Sequence, residues 1–591
     1  MSFHPNDVAR RSRAASGALF VIFAVLVGAF FRTQVLQNTR YTLQSQQNRL
    51  REVPLPAPRG IIYDRNGKVI AENLPGYSVS ILSPSEEQLR TTLRQLSGTV
   101  TLTPEQVASA LRRYRREPNR PTAVLNDASF DVVSVLEEHR IEFPQLIIQS
   151  APKRFYPDST DVAAFIGYTG EVTETELGSQ EFETYKSGQQ IGKGGIEKQY
   201  EKVLRGQEGA RFVEVDAKGR VVREAGAQQD VAPVGPPPLR TNIDMDLQKY
   251  VASVFGDSLQ GGLLAMDPKT GEVLSIYSAP SYNPNRFIGG IAADYYKTLL
   301  DDPRKPLYNK AIQGLYPPGS TWKLATSVLA LQSGMINVND RMPEPCTGGM
   351  QYGNRYIRCW NHQGHGSLTL AGAIEKSCDV YFYQLGLKMG LLRLVGGGID
   401  LGMREKSGID LPNEKRPDFP YAKVNEYYNR KYGPGHWTAG SSVIILAIGQ
   451  GENSQSVANM AKFYTALATD GQAATPEIVH GRPDRKRIFT LPDTQMTELR
   501  NALAGVVAAG GTAAASHIEG LVLAGKTGSA QNPHGDDHAW FVGFAPADNP
   551  KIVVAVMLEF GLHGSRAAHI ASKVIEHYLK AAPAQLLETE G

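Results

Sequence analysis

Residues 317–334 read Pro-Pro-Gly-Ser-Thr-Trp-Lys-Leu-Ala-Thr-Ser-Val-Leu-Ala-Leu-Gln-Ser-Gly, a double proline followed at once by an apolar helical pattern. A proline before the first turn and a glycine after the last are typical helix boundaries. Ser320 and Lys323 are three residues apart at the predicted helix start, so both side chains project from one face. A serine becomes a nucleophile when a neighbouring base accepts its proton, and a lysine of lowered pKa can be that base.

Two later segments favour this catalytic interpretation over an N-capping serine followed by an exposed lysine. Ser377-Cys-Asp379 lies 57 residues beyond Ser320, and Lys526-Thr-Gly528 lies 149 residues beyond Ser377. The order and rough spacing resemble the Ser-x-x-Lys, Ser-x-Asn and Lys-Thr-Gly elements of penicillin-binding proteins and class A β-lactamases. The apolar run Leu521 to Ala524 predicts a strand that ends at the third element.

The third element also matches a different motif. Gly520 to Thr527 fits the phosphate-loop pattern Gly-x4-Gly-Lys-Thr. A phosphate loop is a flexible turn that leads directly into a helix, whereas the interior here is apolar and residues 528–535 (Gly-Ser-Ala-Gln-Asn-Pro-His-Gly) do not begin a helix. The sequence therefore disfavours nucleotide binding.

Charge and size exclude other classes. The chain has 591 residues, which predicts several domains. Its net charge is +3, so it carries no global basic field for nucleic acid. The densest basic run, residues 111–117, is interpreted as a solvated helix face.

An apolar run near the N-terminus predicts a membrane anchor. Ala14 to Phe31 is an uncharged stretch of 18 residues between Arg10, Arg11 and Arg13 on one side and Arg32 on the other. As a helix it would span about 27 Å, close to the thickness of a bilayer core. The flanking arginines place the N-terminus in the cytoplasm and the rest beyond the membrane. A cleaved signal peptide is the alternative.

The remaining chain divides at a proline-rich connector, residues 232–238. The predicted domains are a cytoplasmic tail (1–13), a transmembrane helix (14–31), a pedestal (32–240), a catalytic domain (241–582) and a tail (583–591). Residues 32–58 are predicted to be a polar, stiff stalk, and Asn66-Gly67 between apolar triplets predicts a hairpin. In the catalytic domain, strands at 262–278, 521–524, 539–544 and 552–559 enclose a long helical region. The predicted fold class is α+β, with an antiparallel sheet flanked by helices.

Over nearly its whole length, the chain resembles a class B penicillin-binding protein. Residues 59–67 (Arg-Gly-Ile-Ile-Tyr-Asp-Arg-Asn-Gly) and 194–206 resemble the pedestal motifs of that class, and Gly449-Gln-Gly451 and His538-Ala-Trp540 also fit. Asp379 in place of the usual Asn, with Gly364-His-Gly366 upstream, resembles the elongation-type branch. The absence of a glycosyltransferase region before residue 240 excludes class A. Residues 450–457 depart from the expected Thr-Pro pair.

The resemblance implies a role for each matching residue. Ser320 would attack the penultimate D-Ala of a peptidoglycan stem peptide with Lys323 as general base, and Ser377 would relay the proton to the leaving amine. Asp379 would line the cleft, and Lys526, Thr527, Gly528 and Ser529 would bind the substrate. The backbone N–H groups of Ser320 and Ser529 would form the oxyanion hole. An amine of a neighbouring strand would take the acyl group, and β-lactams would stall at the ester.

Three cysteines and a histidine bracket the second element. Cys346, Cys359, His365 and Cys378 have the ligand types of a closed, structural zinc site. A Cys346–Cys359 disulfide with Cys378 free is the alternative, and His362 could replace His365 as ligand.

Two rival functions are weighed against a transpeptidase. A β-lactamase or β-lactam sensor of the same fold would need a deacylating base or a signalling domain, and no motif for such a base is recognised. A non-catalytic scaffold would not need Ser320, Lys323, Ser377 and Lys526 together. By resemblance, the expected partners are a RodA-type membrane glycosyltransferase and other elongation-complex proteins, and the expected location is the inner membrane, with the catalytic domain in the periplasm.

Overall fold

The computed structural model describes residues 5–38, 50–118, 120–215, 221–224, 229–481 and 483–581. The predicted C-terminal tail and residues 39–49 of the predicted stalk lie outside these ranges. The strands are β1 Leu50–Leu55, β2 Ile62–Tyr63, β3 Val69–Ile81, β4 Thr122–Ala128, β5 Leu146–Phe155, β6 Thr169–Glu171, β7 Gln190–Gly192, β8 Gly209–Val215, β9 Val221–Glu224, β10 Leu239–Arg240, β11 Gly261–Met266, β12 Val273–Ala279, β13 Gly349–Tyr352, β14 Arg355–Arg358, β15 Gln472–Ala474, β16 Arg485–Arg487, β17 Ala524–Ala530, β18 His538–Ala545 and β19 Ile552–Leu558.

The helices are concentrated in the second half of the chain. They span Pro5–Phe31, Glu86–Thr99, Pro104–Arg116, Phe130–Glu138, Ala163–Ile166, Glu174–Leu177, Gly195–Gln199, Glu201–Leu204, Met245–Phe255, Ala293–Asp301, Lys323–Gln332, Leu370–Glu375, Asp379–Met389, Leu391–Asp400, Val424–Tyr432, Ala439–Ala447, Val457–Ala468, Asp493–Val507 and Gly564–Ala581. Mixed helix and sheet on both sides of residue 240 confirm the α+β class.

The N-terminal helix fits a single-pass membrane anchor. Pro5–Phe31 continues as a π-helical turn, Arg32–Leu36, and an 18-residue window within Ala9–Leu36 has a mean hydropathy of 2.4, with none of that window buried against the protein. It is the one helix among the described residues that is long and apolar enough to cross a bilayer. The helix begins at Pro5, before the predicted start at Ala14, and so includes the polar residues that precede the apolar run.

The pedestal is built on a long strand that local sequence signals delimit well. β2 and β3 form the hairpin predicted at Asn66-Gly67, and β3 then pairs with both β4 and β5. Ser85 and Thr103 cap the helices that follow them, the second with a reciprocal capping box. Part of the predicted stalk is sheet instead, because β1 pairs along its length with β8.

Buried ion pairs join the two pedestal motifs. The Arg59 guanidinium donates to the Glu197 carboxylate at 2.5 Å and to Glu201 at 2.6 Å, and Arg154 donates to Glu197 at 2.6 Å. Burial alone would lower the pKa of Arg59, but Glu197 and Glu201 raise it above its ordinary value. The network is internally balanced, with two guanidinium groups facing two carboxylates.

The catalytic half is organised on one antiparallel sheet of order β12-β11-β19-β18-β17. β11 and β12 come before the inserted helices, and the other three strands follow them, as predicted. The strands β11, β12 and β19 are buried throughout, which places the sheet between helical layers. The edge strand β17 carries the third sequence element.

The predicted position of that edge strand was wrong by several residues. Leu521 to Ala524 was expected to be the strand, whereas β17 runs from Ala524 to Ala530 and holds Lys526-Thr-Gly528 in its interior. Val522 is exposed, and Ala524 is the one residue of the apolar run that belongs to the sheet. The polar strand is held instead by pairing with β18 from Ala524–Phe544 to Ala530–His538.

Candidate active site

The nucleophile candidate lies on a tight turn pressed against the edge strand. Gly319–Trp322 form a 3-10 turn that passes directly into the helix Lys323–Gln332. Gly319 has a φ of +54°, and a Cβ there would lie 2.7 Å from the Ser529 carbonyl oxygen. Only glycine permits this approach. As a result, the turn that carries half-buried Ser320 packs against β17 at Ser529.

Lys323 links the first and second elements. It is completely buried, and its ammonium donates to the Asp379 carboxylate at 2.7 Å, the Ser377 carbonyl at 2.9 Å and the Ser377 hydroxyl at 3.3 Å. Asp379 also accepts from the backbone N–H of Trp360 at 2.9 Å. The carboxylate therefore accepts from a charged and a backbone donor at once.

Ser377 has a strained backbone conformation. Its φ is +54°, in the left-handed region that costs an ordinary residue free energy. Its carbonyl accepts from Lys323 and, at 3.1 Å, from the indole N–H of Trp360. These two donors help to hold the strained peptide, which keeps the Ser377 hydroxyl beside the lysine.

Lys526 is buried beside the same cluster. Burial lowers the pKa of Lys526 well below its ordinary value, and the charge of Lys323 lowers it further, whereas Asp379 opposes the shift. Its ammonium donates to the Thr527 carbonyl at 3.1 Å. Two lysines and one carboxylate thus share the cleft, an arrangement that favours an incoming anion.

The structure places all of the predicted substrate-binding residues on β17. Thr527 and Gly528 are buried in β17, and Ser529 is exposed next to the nucleophile turn. The Gln450 side chain donates to the Ser529 carbonyl at 3.3 Å, and the Gly319 N–H donates to the Gly449 carbonyl at 3.0 Å. Gly449 therefore contacts the turn, and Gln450, the first residue of the segment that departs from the Thr-Pro pattern, contacts β17.

The four predicted metal ligands converge. The ligand atoms of Cys346, Cys359, His365 and Cys378 all lie within 4.8 Å of one another, and the three cysteines are free. His365 Nδ1 lies 3.6 Å from the Cys346 sulfur and 3.5 Å from the Cys359 sulfur. A tetrahedral zinc with ordinary bond lengths has sulfur–nitrogen edges of about 3.5 Å. His362, the alternative ligand, is not in the cluster.

Two of the clustered cysteines, Cys359 and Cys378, shift each other's pKa. The hydrogen bond with Cys378 lowers the pKa of Cys359, and the same contact raises the pKa of Cys378. The other ring nitrogen of His365, Nε2, is buried without a hydrogen-bond partner in the described structure. The donor set, the burial and the spacing fit a structural zinc ion.

Sequence reasoning missed Trp360, Gln450 and Thr512. Trp360 is the neighbour of a predicted ligand, Cys359, and that adjacency was an available signal. Gln450 was noted only as part of a glycine-rich motif. Thr512 bonds to Thr527 across the cleft wall, with 2.6 Å between the hydroxyl oxygens, and no local pattern marks it.

Comparisons with family models match two separate parts of the chain. Residues 54–233 match the penicillin-binding protein dimerisation domain, and residues 261–576 match the penicillin-binding protein transpeptidase domain. The first match ends within the proline-rich connector, and the second begins beyond it. The second covers the nucleophile turn, the Ser377 loop and β17.

Individual relatives match over almost the full length. The peptidoglycan D,D-transpeptidase MrdA of Acinetobacter baumannii is 32% identical, covering 96% of this chain and 87% of the relative. A solved complex between penicillin-binding protein PBP2 and MreC from Helicobacter pylori matches with a TM-score of 0.79 and 28% identity, covering 90% of this chain and 99% of the other. A solved structure that concerns the coordination of polymerization and crosslinking by a peptidoglycan synthase complex also matches. Its TM-score is 0.70 at 27% identity, and the match covers 97% of this chain and 99% of the other.

Proposed function

Because this chain belongs to the penicillin-binding protein family and is a peptidoglycan D,D-transpeptidase, we propose that Ser320 is the nucleophile that forms its acyl-enzyme. The observation that carries the assignment is the convergence of Lys323, Ser377 and Asp379 behind the turn that presents Ser320. A structural serine would not need a fully buried lysine and a strained second serine next to it.

In the acylation step, the Ser320 hydroxyl oxygen attacks the carbonyl carbon of the penultimate D-Ala. For this step Lys323 reacts as the neutral amine: it accepts the hydroxyl proton and becomes the ammonium that pairs with Asp379. The charge on the carbonyl oxygen is stabilised by the backbone N–H groups of Ser320 and Ser529. When the carbon–nitrogen bond breaks, the terminal D-Ala leaves as an amine, which receives a proton through the Ser377 hydroxyl at 3.3 Å from the lysine.

The second step transfers the acyl group. A side-chain amine of a neighbouring stem peptide attacks the ester carbon, a new amide forms and Ser320 regains its proton. A β-lactam acylates the same serine, but its opened ring stays attached, so the ester persists. Lys526 and the Thr527 hydroxyl would bind the carboxylate that substrate and antibiotic share, because an anion beside Lys526 would offset the burial and the Lys323 charge that lower the pKa of this lysine.

The assignment is tested with Ser320→Ala in the full-length protein. Incubated with a D-Ala-D-Ala pentapeptide and an acceptor amine, the wild-type protein should release D-Ala and form the cross-linked product, and Ser320→Ala should do neither. Ser327→Ala, at a buried serine in the helix that follows the turn, is the matched control and should retain activity. Release of D-Ala at the wild-type rate by Ser320→Ala would refute the nucleophile.

We also propose a structural zinc ion held by Cys346, Cys359, His365 and Cys378. A bound zinc would supply a closed tetrahedral cross-link and no reactive position. The zinc would stabilise the loop that contains Ser377, because the proposed ligand Cys378 immediately follows this strained residue. Metal analysis of the purified protein, with a free-thiol count before and after denaturation in chelator, tests this proposal. A Cys346–Cys359 disulfide in a metal-free, active preparation would contradict it.

Finally, we propose that the catalytic domain lies in the periplasm and works in cell elongation beside a RodA-type membrane glycosyltransferase. The arginines before the anchor helix support this orientation, and the likeness to a peptidoglycan synthase complex supports the partnership. Protease added to intact spheroplasts should digest the domain, and co-purification from membranes should depend on the anchor helix. Protection from protease would contradict the orientation, and unchanged co-purification after the anchor is exchanged would contradict a partnership through the helix.

A further inference from the structure

The loop that follows the helix Asp493–Val507 touches both flanks of the active-site cleft. This glycine loop, residues 508–513, receives a hydrogen bond on its Gly510 carbonyl from the Lys376 ammonium at 2.6 Å. On the other flank, the oxygens of the Thr512 and Thr527 hydroxyls lie 2.6 Å apart. Lys376 precedes Ser377, and Thr527 lies within the third element, so the loop connects two elements that are about 150 residues apart in sequence.

The conformation of the glycine loop is tightly determined. The Gly511 N–H donates to the Ala508 carbonyl, and the Ala513 N–H donates to the Val506 carbonyl, both at 2.9 Å. A Cβ at Gly511 would lie 2.2 Å from the Val506 carbonyl oxygen, so no larger residue fits. Thr512 is half-buried between these two anchored residues. The position of its hydroxyl is therefore set by the loop and not by solvent.

The direction of the hydrogen bond between the two hydroxyls matters for binding. Each hydroxyl has one proton to donate. If Thr527 gives its proton to Thr512, it has none left for a carboxylate in the cleft. If Thr512 donates instead, the Thr527 proton points outward, and the bond it receives strengthens the bond it makes.

We propose that Thr512 is a positioning residue that makes Thr527 a donor to the substrate carboxylate, and so contributes to selection of substrates that end in a free carboxylate. The proposal rests on the proposed role of Thr527 in binding that group. The buried Lys526 attracts the anion without directional preference, whereas a hydroxyl with a fixed proton responds to its position. The pair of threonines thus adds geometric selectivity to an electrostatic attraction.

The test compares two ligands that differ at the carboxylate only. Second-order acylation rate constants are measured for benzylpenicillin and for its methyl ester, by competition with a fluorescent penicillin on the full-length protein in detergent. The readout is the rate constant for benzylpenicillin divided by the rate constant for its methyl ester, both measured in one preparation. Any loss of folded protein lowers both constants equally and cancels in this ratio. Thr512→Val and Thr512→Ala remove the hydroxyl, and Thr512→Ser retains it. Thr497→Val, on the exposed face of the preceding helix, is the matched control.

Thr512→Val and Thr512→Ala should each lower the ratio about fivefold to tenfold, which is within the range for the loss of one ordinary hydrogen bond. Thr512→Ser and Thr497→Val should leave the ratio at the wild-type value, and Thr512→Val should have no further effect in a Thr527→Val background. An unchanged ratio in both hydroxyl-free variants overturns the proposal. Thr527→Val separates the two levels: if that variant also leaves the ratio unchanged, the proposed role of Thr527 is wrong, and if it lowers the ratio, only the inference about Thr512 is wrong.

Discussion

The pedestal and the active-site cleft bury cationic side chains with different numbers of carboxylates. Arg59 and Arg154 share Glu197 and Glu201, and the carboxylates raise the pKa of Arg59 despite its burial. Lys323 and Lys526 share only Asp379 among the described residues, and burial together with the neighbouring lysine lowers the pKa of Lys526. In the pedestal, the two guanidinium groups are balanced by two carboxylates, and these ion pairs hold two sequence motifs together. The active-site cleft lacks one anion, which the substrate carboxylate can supply.

Removing the lysine that pairs with Asp379 should have the largest effect on chemistry. Lys323→Met should slow acylation by a penicillin by about 10²- to 10⁴-fold, because the Ser320 proton loses its acceptor. Stopped-flow or gel-based acylation rates measure this change. Lys462→Met, at a partly buried lysine that donates to the Ser407 carbonyl, is the control and should acylate normally. A loss of less than about threefold in Lys323→Met would remove the lysine from the role of general base.

Unbalancing the pedestal should instead cost stability. Glu197→Gln leaves two buried guanidinium groups with one carboxylate, and the free energy of unfolding should fall by about 3 to 5 kcal/mol. Denaturant titration of the full-length protein measures this loss, and acylation per folded molecule should stay normal. The exposed Glu426–Arg430 pair is the contrast, because Glu426→Gln should cost less than about 0.5 kcal/mol. If the two variants lose the same free energy of unfolding, the buried network stabilises the fold no more than an exposed ion pair does.

The zinc proposed at the Cys/His cluster would neutralise buried charge in a third way, because the metal would balance the negative charge of the thiolates. Cys378→Ser should reduce bound zinc from about one to about zero per chain. It should also lower the melting temperature and slow penicillin acylation, since the strained Ser377 is adjacent. Elemental analysis, thermal melts and acylation rates are measured together. Normal acylation in a zinc-free Cys378→Ser protein would show that the cluster does not support the active site.

The smallest predicted effect is on the pH dependence of stability. The unfolded chain keeps the Lys526 proton up to about its ordinary pKa of 10.5, whereas the folded protein releases that proton at a lower pH. Between these two values the unfolded state binds more protons, so the free energy of unfolding contributed by Lys526 rises with pH. Lys526→Met should flatten the slope of melting temperature against pH from about pH 7 to about pH 10. Exposed Lys573→Met should leave the slope unchanged, and an unchanged slope in Lys526→Met would show that Lys526 keeps an ordinary pKa.

Local signals explain which parts of the fold were predictable. The helices beginning at Glu86 and Pro104 follow capping residues, and the Asn66-Gly67 turn specifies its hairpin within a few residues. β17 was misplaced because Gly525 to Ser529 are polar or small, and a buried polar strand shows no alternation of apolar residues. Its burial follows from pairing with β18, which no local window contains.

The candidate site shows the same division. Ser320, Lys323, Ser377 and Lys526 could be proposed from ordered motifs, and the structure brings them together. The choice between a disulfide and a metal could not be made from spacing, since it depends on whether His365 joins the thiols. Thr512 and Trp360 were not recognised because their contacts with Thr527 and Asp379 depend on how distant loops pack.

The most direct test of the Ser320 assignment is to locate the covalent adduct by mass spectrometry. The full-length protein is treated with benzylpenicillin, quenched and digested, and the peptide that carries the added mass is sequenced. We predict one adduct per chain, on Ser320 in the peptide that contains Lys323, and none in Ser320→Ala. An adduct on any other residue, or an adduct of normal yield in Ser320→Ala, would contradict Ser320 as the acylated nucleophile.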